Sequence, residues 1–307
     1  GTITVFLIYK LTFILWGSRS ALKAAWFATF FPTLILYSAL IMREVYIIFF
    51  LTYALISCVH YLNEYKFNYF LKSFFGFFMA SLFHGPMILG LFTFIVYVFF
   101  RILKQNNYFL RFKRKNLYFL FVLPLILIPI VTYFLGYYDI PKIGNFNNLG
   151  NLKIEDQSKV SKITDRLIWK MDKAQKQCAS WKKCDASYPS WIVPKDTGEI
   201  IYLTPFRMIY FLYGPLPWHI KKPIHLIGLI ESFFYIYLSI SIFRNWKIIF
   251  KNPQIHFLII ILIMFIFIYS FGVGNFGTSI RHRLKFIGIL IAIAAPGIPR
   301  IKLSKIK

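Results

Sequence analysis

Residues 37–50 read YSALIMREVYIIFF. An arginine and a glutamate, Arg43 and Glu44, sit side by side inside a long apolar run. In a soluble helix such a pair is ordinary. In a membrane-crossing helix each charge costs about 2.5–3.5 kcal/mol near the bilayer centre, so the pair must lie at a helix end or face a polar cavity. Which case applies is decided by the rest of the chain.

The chain is 58% hydrophobic and only 15% charged, and its mean hydropathy is +0.61. A soluble domain of 307 residues needs more polar surface than this. The charges fall between apolar runs, several of which approach the ~20 residues that span a bilayer. The composition predicts an all-α, polytopic helical membrane protein with about eight apolar membrane segments and one long external loop. A barrel would show short alternating strands instead.

A net charge of +25 raises nucleic acid as a partner. The basic residues, however, flank the apolar runs, as the positive-inside rule requires, and form no face with stacking aromatics. Nucleic acid is therefore excluded. Gly1 opens directly onto an apolar run, without an initiator methionine or a charged leader region. The expectation is an N-terminal truncation rather than a signal peptide.

The apolar runs cover residues 2–16, 24–42, 45–61, 73–100, 116–136, 223–242, 255–272 and 285–298. The run at 73–100 is interrupted by His84-Gly85-Pro86, which predicts two short helices or a re-entrant hairpin. Non-helical backbone at that depth needs protein or a water-filled cavity around it. Six basic residues and no acid lie between Arg101 and Lys115, which sets that loop on the cytoplasmic side. Residues 137–204 hold eight of the eleven acidic residues, nearly balanced by eleven Lys and Arg, and read as the external loop. Within it, Val160, Ile163, Leu167 and Met171 keep a helical spacing.

Four regions follow. Residues 1–136 form an N-terminal transmembrane bundle with a broken helix near 84–86. Residues 137–204 form the external loop. Residues 205–222, broken by Pro and Gly and rich in Trp and Tyr, form an interfacial or re-entrant segment. Residues 223–307 carry the last transmembrane segments and a basic cytoplasmic tail.

On this topology every acid-free basic cluster is cytoplasmic except Arg281-His282-Arg283-Lys285. A basic cluster on the disfavoured side points to an anionic ligand, because Arg forks take phosphate oxygens in pairs. Arg43, Glu44, His84 and Arg207 fall on the same outer side. The candidate set is therefore Glu44 and His84 as bases, with Arg43, Arg207, Arg281, His282 and Arg283 binding an anion. The bland alternatives are interfacial anchoring for the arginines and backbone hydrogen bonding for His84. Cys178 and Cys184, in CASWKKC, can close as a disulfide in an oxidising compartment. Cys58 reads as an inert buried thiol. No zinc spacing and no soluble-enzyme signature occurs.

Residues 30–55, FFPTLILYSALIMREVYIIFFLTYAL, resemble the bacterial membrane polysaccharide polymerases of the Wzy type. In those proteins a Pro-containing span leads through a Ser to an Arg-Glu pair at a helix start. MASLFHGPMI (79–88), RMIYFLYGPLPW (207–218) and GNFGTSIRHRLKF (274–286) resemble further stretches of such proteins. The resemblance implies an enzyme of the bacterial inner membrane that joins oligosaccharide repeat units carried on undecaprenyl diphosphate into O-antigen or exopolysaccharide. It implies no cofactor, metal or nucleotide. The implied partners are the lipid-linked oligosaccharide, membrane lipids, and a chain-length regulator or flippase. The chain has fewer apolar runs than that family commonly shows. The alternatives are an O-antigen ligase or other lipid-linked sugar transferase, a transporter or flippase of the lipid-linked unit, and a non-catalytic scaffold. A transporter would show internal repeats and paired broken helices at mid-depth, which this sequence lacks.

Overall fold

The computed structural model describes residues 1–40, 42–104, 168, 186–221 and 225–299. Its regular structure there is helical. One isolated antiparallel bridge, between Ser187 and Asn275, is the exception.

Helix α1 (Thr2–Trp16) ends at Gly17, whose φ of +79° reverses the chain into α2 (Ser18–Thr29). Glycine enters this left-handed region without steric cost. The expected single run at 24–42 is in fact two pieces. Phe31 is extended because it precedes a proline, Pro32 opens α3 (Pro32–Ala39), and the two helices meet at 60°.

Helix α4 (Arg43–Glu64) carries Arg43 and Glu44 in its first turn. Its 22 residues reach ~33 Å at 1.5 Å per residue, enough to cross a hydrocarbon core. Tyr65, at φ 52°, turns the chain into α5 (Phe67–Phe83). These two helices approach closely because Gly76 faces Ala54: a Cβ at Gly76 would lie 2.8 Å from that of Ala54. Small residues permit such contacts between membrane helices. Gly76→Val is expected to cost about 1–3 kcal/mol through overpacking. A lowered thermal midpoint in detergent, read by tryptophan fluorescence, checks it; an unchanged midpoint would mean that α4 and α5 are not so closely apposed.

His84 ends α5 in extended backbone, Gly85–Met87 form a 3-10 turn, and α6 (Ile88–Lys104) continues. Helix α7 (Thr197–Tyr213) is capped by Asp196, which accepts from the Glu199 amide at 2.8 Å. Helices α8 (His225–Arg244) and α9 (Pro253–Gly272) follow, joined through a helical turn at Trp246–Ile249. Asn275 caps α10 (Phe276–Arg283), accepting from the Thr278 amide at 2.8 Å.

All eight residues of α11 (Ile287–Ala294) are buried. A short helix that is apolar all round belongs at the centre of a bundle. Its end needs donors for its last carbonyls, and side chains supply two of them. Trp16 Nε1 donates to Ala292 O at 2.9 Å and Ser241 Oγ to Ala294 O at 3.2 Å. Lys23 Nζ donates to Pro296 O at 3.0 Å and Ile298 O at 2.6 Å.

These contacts define two ends. At one, Glu44 meets Arg281, Gly1 lies against Ser38, and Gly228 meets Ile280. At the other, Asn252 donates to Leu15 O, Gln254 donates to Asn63, and Lys23 reaches the chain after α11. Thus α4 and α8 run away from the first end and α9 runs back towards it.

Three helices, α4, α8 and α9, are long and apolar enough to cross a membrane, and α2 with α3 makes a fourth if the bent pair is one span. The chain is therefore an all-α protein of several membrane-spanning helices. Among the described residues this is fewer than the eight expected segments, partly because α1, α6 and α11 are short. The expected run at 116–136, most of the loop at 137–204, and Cys178 and Cys184 lie outside the described residues. Cys58 is buried on α4.

Candidate functional site

At the first end, side chains from four elements converge. Glu44 is fully buried and its Oε1 accepts from Arg281 Nε at 2.5 Å. Arg43 Nε lies 3.6 Å from the same oxygen. The two guanidiniums keep one face in the open: the Arg43 side chain is 54% exposed and that of Arg281 35%. One buried carboxylate thus holds two half-open cations.

His84 enters from the break between α5 and α6. Its ring lies 5.3 Å from that of His282 and 5.6 Å from that of Tyr269, stacked on the latter. Tyr269 and His282 are 4.9 Å apart. Lys285 Nζ donates to His282 Nδ1 at 2.7 Å and lies 5.2 Å from the Tyr269 ring centre. Burial, and next the Lys285 ammonium, push His282 down to about 2, so its imidazole is neutral and accepts this bond. Burial first, and then the Lys285, Arg43 and Arg281 charges, push His84 down to about 3.

The helix geometry explains which residues join. Arg281, His282 and Lys285 are separated by one and three positions around α10 and its continuation, so they share a side. Arg283 is two positions from Arg281, about 200° around the axis, and faces away.

Arg283 and Arg207, expected to bind the anion, are not in this cluster. Arg283 is fully buried. Its Nη1 donates to Leu212 O at 2.9 Å and Gly214 O at 2.6 Å, its guanidinium sits 4.5 Å over Tyr235, and its Nε is 3.6 Å from Glu231. Arg207 is 1% exposed. It donates to Ser270 O at 3.1 Å, Ile192 O at 3.0 Å and Val273 O at 2.9 Å. Arg207 spends its whole fork on backbone and Arg283 one nitrogen of its fork, and the two tie α7 to the chain around α10.

Two members escaped the sequence reading. Lys285 was legible as part of the basic cluster, four positions after Arg281, but took no role. Tyr269 is one of 20 tyrosines and carries no distinguishing pattern.

Three polar atoms in the cluster are buried without a hydrogen-bond partner: Glu44 Oε2, His84 Nε2 and Tyr269 Oη. Buried polar groups are normally satisfied, so these three atoms are places for a ligand group to bond; Glu231, Tyr235 Oη and Arg283 Nε, around the buried Arg283, are unpartnered in the same way. Beside it a cavity of about 500 Å³ opens among α1, α3 and α4, with Tyr37, Ser38, Val45 and Leu284 in its wall. Among the described residues no group of three His, Cys, Asp or Glu side chains is placed to hold a metal ion. What the cluster can do chemically is bind an anion on the two half-open arginines, with Lys285 behind them, 1% exposed and pushed down to about 7 by that burial. Comparison with protein-family models, with curated proteins and with solved structures finds no match for this chain.

Proposed function

We propose that this protein is a membrane glycosyltransferase that joins oligosaccharide repeat units carried on undecaprenyl diphosphate, at the outward end of its bundle. The observation that carries the reading is the convergence of Arg43, Arg281 and Lys285 with two imidazoles and a buried carboxylate at one end of the membrane helices. The diphosphate between sugar and lipid carries two negative charges and gains a third as the sugar–oxygen bond breaks, and guanidinium forks match its paired oxygens. The arrangement lies at a helix-end level rather than midway along the bundle, which favours chemistry on a headgroup over transport.

In the step, the acceptor hydroxyl loses its proton to His84 Nε2. Its oxygen bonds to the anomeric carbon of the growing chain, and the bond from that carbon to the lipid diphosphate breaks. The electron pair leaves on the diphosphate, where Arg43, Arg281 and Lys285 stabilise it. Glu44 orients the two arginines. Burial holds His84 low first and the cations second, and the diphosphate charge offsets the second of these, which raises the proton affinity of the imidazole. Arg207 and Arg283 position α7 and α10 and do not touch the substrate.

Binding tests the reading without turnover. The purified protein in detergent is expected to bind a short-chain polyprenyl diphosphate, displaced by inorganic pyrophosphate. Lys285→Met is expected to weaken binding about tenfold, in line with loss of one charge-assisted hydrogen bond. Equal affinity for polyprenyl diphosphate and polyprenol would remove the diphosphate site from the reading.

A further inference from the structure

A second cavity lies away from this site. It is a groove of about 1,090 Å³ on the flank of the bundle, between α2 and α8. Its floor is a fixed set of rings: Phe27 packs edge-on against Phe234 at 5.4 Å and stacks on Tyr237 at 5.9 Å. Its rim is exposed and apolar, with Trp26 at 48% and Phe233 at 55%. Both walls belong to candidate membrane-crossing elements. The groove therefore opens sideways into hydrocarbon.

The two mouths differ. Towards the site end the groove is lined by Phe30 and Ile230. At the opposite end it is bounded by Arg19 and Lys23, next to Ile298 and Pro299. Lys23 is engaged with the carbonyls of Pro296 and Ile298. Arg19 is exposed, and no ion pair among the described residues holds it. Arg244, Lys247 and Lys251 lie at the same end of the bundle, which is the basic, inward side by the positive-inside rule.

We propose that this groove is a binding site for an anionic phospholipid of the inner leaflet, with an acyl chain along the aromatic floor and the phosphate on Arg19. An apolar channel open to the bilayer takes an alkyl chain, and a cation at its inward mouth selects a negative headgroup. The proposal is independent of the glycosyltransferase reading, because none of its residues belongs to the outward cluster.

The test is lipid retention by the whole protein in nanodiscs of equal phosphatidylglycerol and phosphatidylcholine, released and weighed by native mass spectrometry. One phosphatidylglycerol is expected to stay bound in preference to phosphatidylcholine. Arg19→Ala is expected to lower its occupancy constant about fivefold, the effect of one basic residue near an anionic lipid, while Arg19→Lys keeps most of it. Arg19 is on the surface, so loss of the fold does not confuse the comparison. Equal retention of both lipids, or no change in Arg19→Ala, would overturn the proposal. So would displacement of phosphatidylglycerol by polyprenyl diphosphate through the same groove, or its increased binding when residues 300–307 are deleted, since those results assign the groove to the substrate or to the chain's own tail.

Discussion

Arg207→Met is expected to destabilise the protein by about 3–6 kcal/mol, the cost of three buried acceptors losing charged donors at about 1–2 kcal/mol each. Methionine keeps the length and apolar contact of the side chain, so the loss is that of the fork. The guanidinium ties the Ile192 carbonyl of the turn before α7 to the Ser270 and Val273 carbonyls at the end of α9. No water reaches a group that is 1% exposed to repair the loss. Arg207→Lys is expected to recover less than half, because an ammonium is a point charge and cannot address three carbonyls from a planar array. Thermal midpoints in detergent and half-lives at a fixed temperature measure both variants. Midpoints within a degree of the parent would mean that Arg207 is a surface or ligand-facing residue after all.

Arg281→Gln is expected to abolish product by a factor of about 10²–10³, the usual effect of removing one group that stabilises a leaving charge. It also leaves the buried Glu44 carboxylate with Arg43 as its nearest cation, 3.6 Å away. Breaking such a pair costs about 1–3 kcal/mol here, less than for a fully buried one, because Arg281 is 35% exposed. Stability and activity must therefore be separated. In the double variant Glu44→Gln with Arg281→Gln, two amides replace two opposite charges, and the thermal midpoint is expected to return most of the way to the parent. Activity is not expected to return. If restoring the fold restored the product, Arg281 would be a structural partner of Glu44 and nothing more.

The sequence was informative where a local rule acts alone. The break at 84–86 follows from Gly-Pro, which ends a helix wherever it stands. The Arg43-Glu44 pair was legible as lying at a helix end or facing a polar cavity, because an ion pair in an apolar run has few other places to be, and it stands in the first turn of α4. Proline at position 32 carried the same message as Pro86, yet the run at 24–42 reads as continuous when hydropathy alone is followed. The arginines show the limit more sharply. Arg281 and Arg283 are neighbours in the sequence and opposites on the helix: one is half-open on Glu44, the other buried on carbonyls of Leu212 and Gly214. Arg207 is similar, since what it binds is backbone from residues 15 to 66 positions away. Composition tells that such cations need partners, and only tertiary contact tells whether the partner is a carbonyl or a ligand. Lys285 was within reach of helical arithmetic. Tyr269 was not, because its place beside His84 is set by the packing of α9 against the turn after α5.

The most direct test of the central claim is glycan length. The protein would be expressed in a host that lacks its own polymerase and makes the cognate repeat unit, and the lipid-linked glycans resolved on a gel. A ladder of multiple repeats with the parent, falling to single units with an Arg281→Gln variant that still inserts, is the expected result. Single units with the parent itself, inserted and supplied with matched substrate, would contradict polymerisation and move the site to a ligase or a flippase.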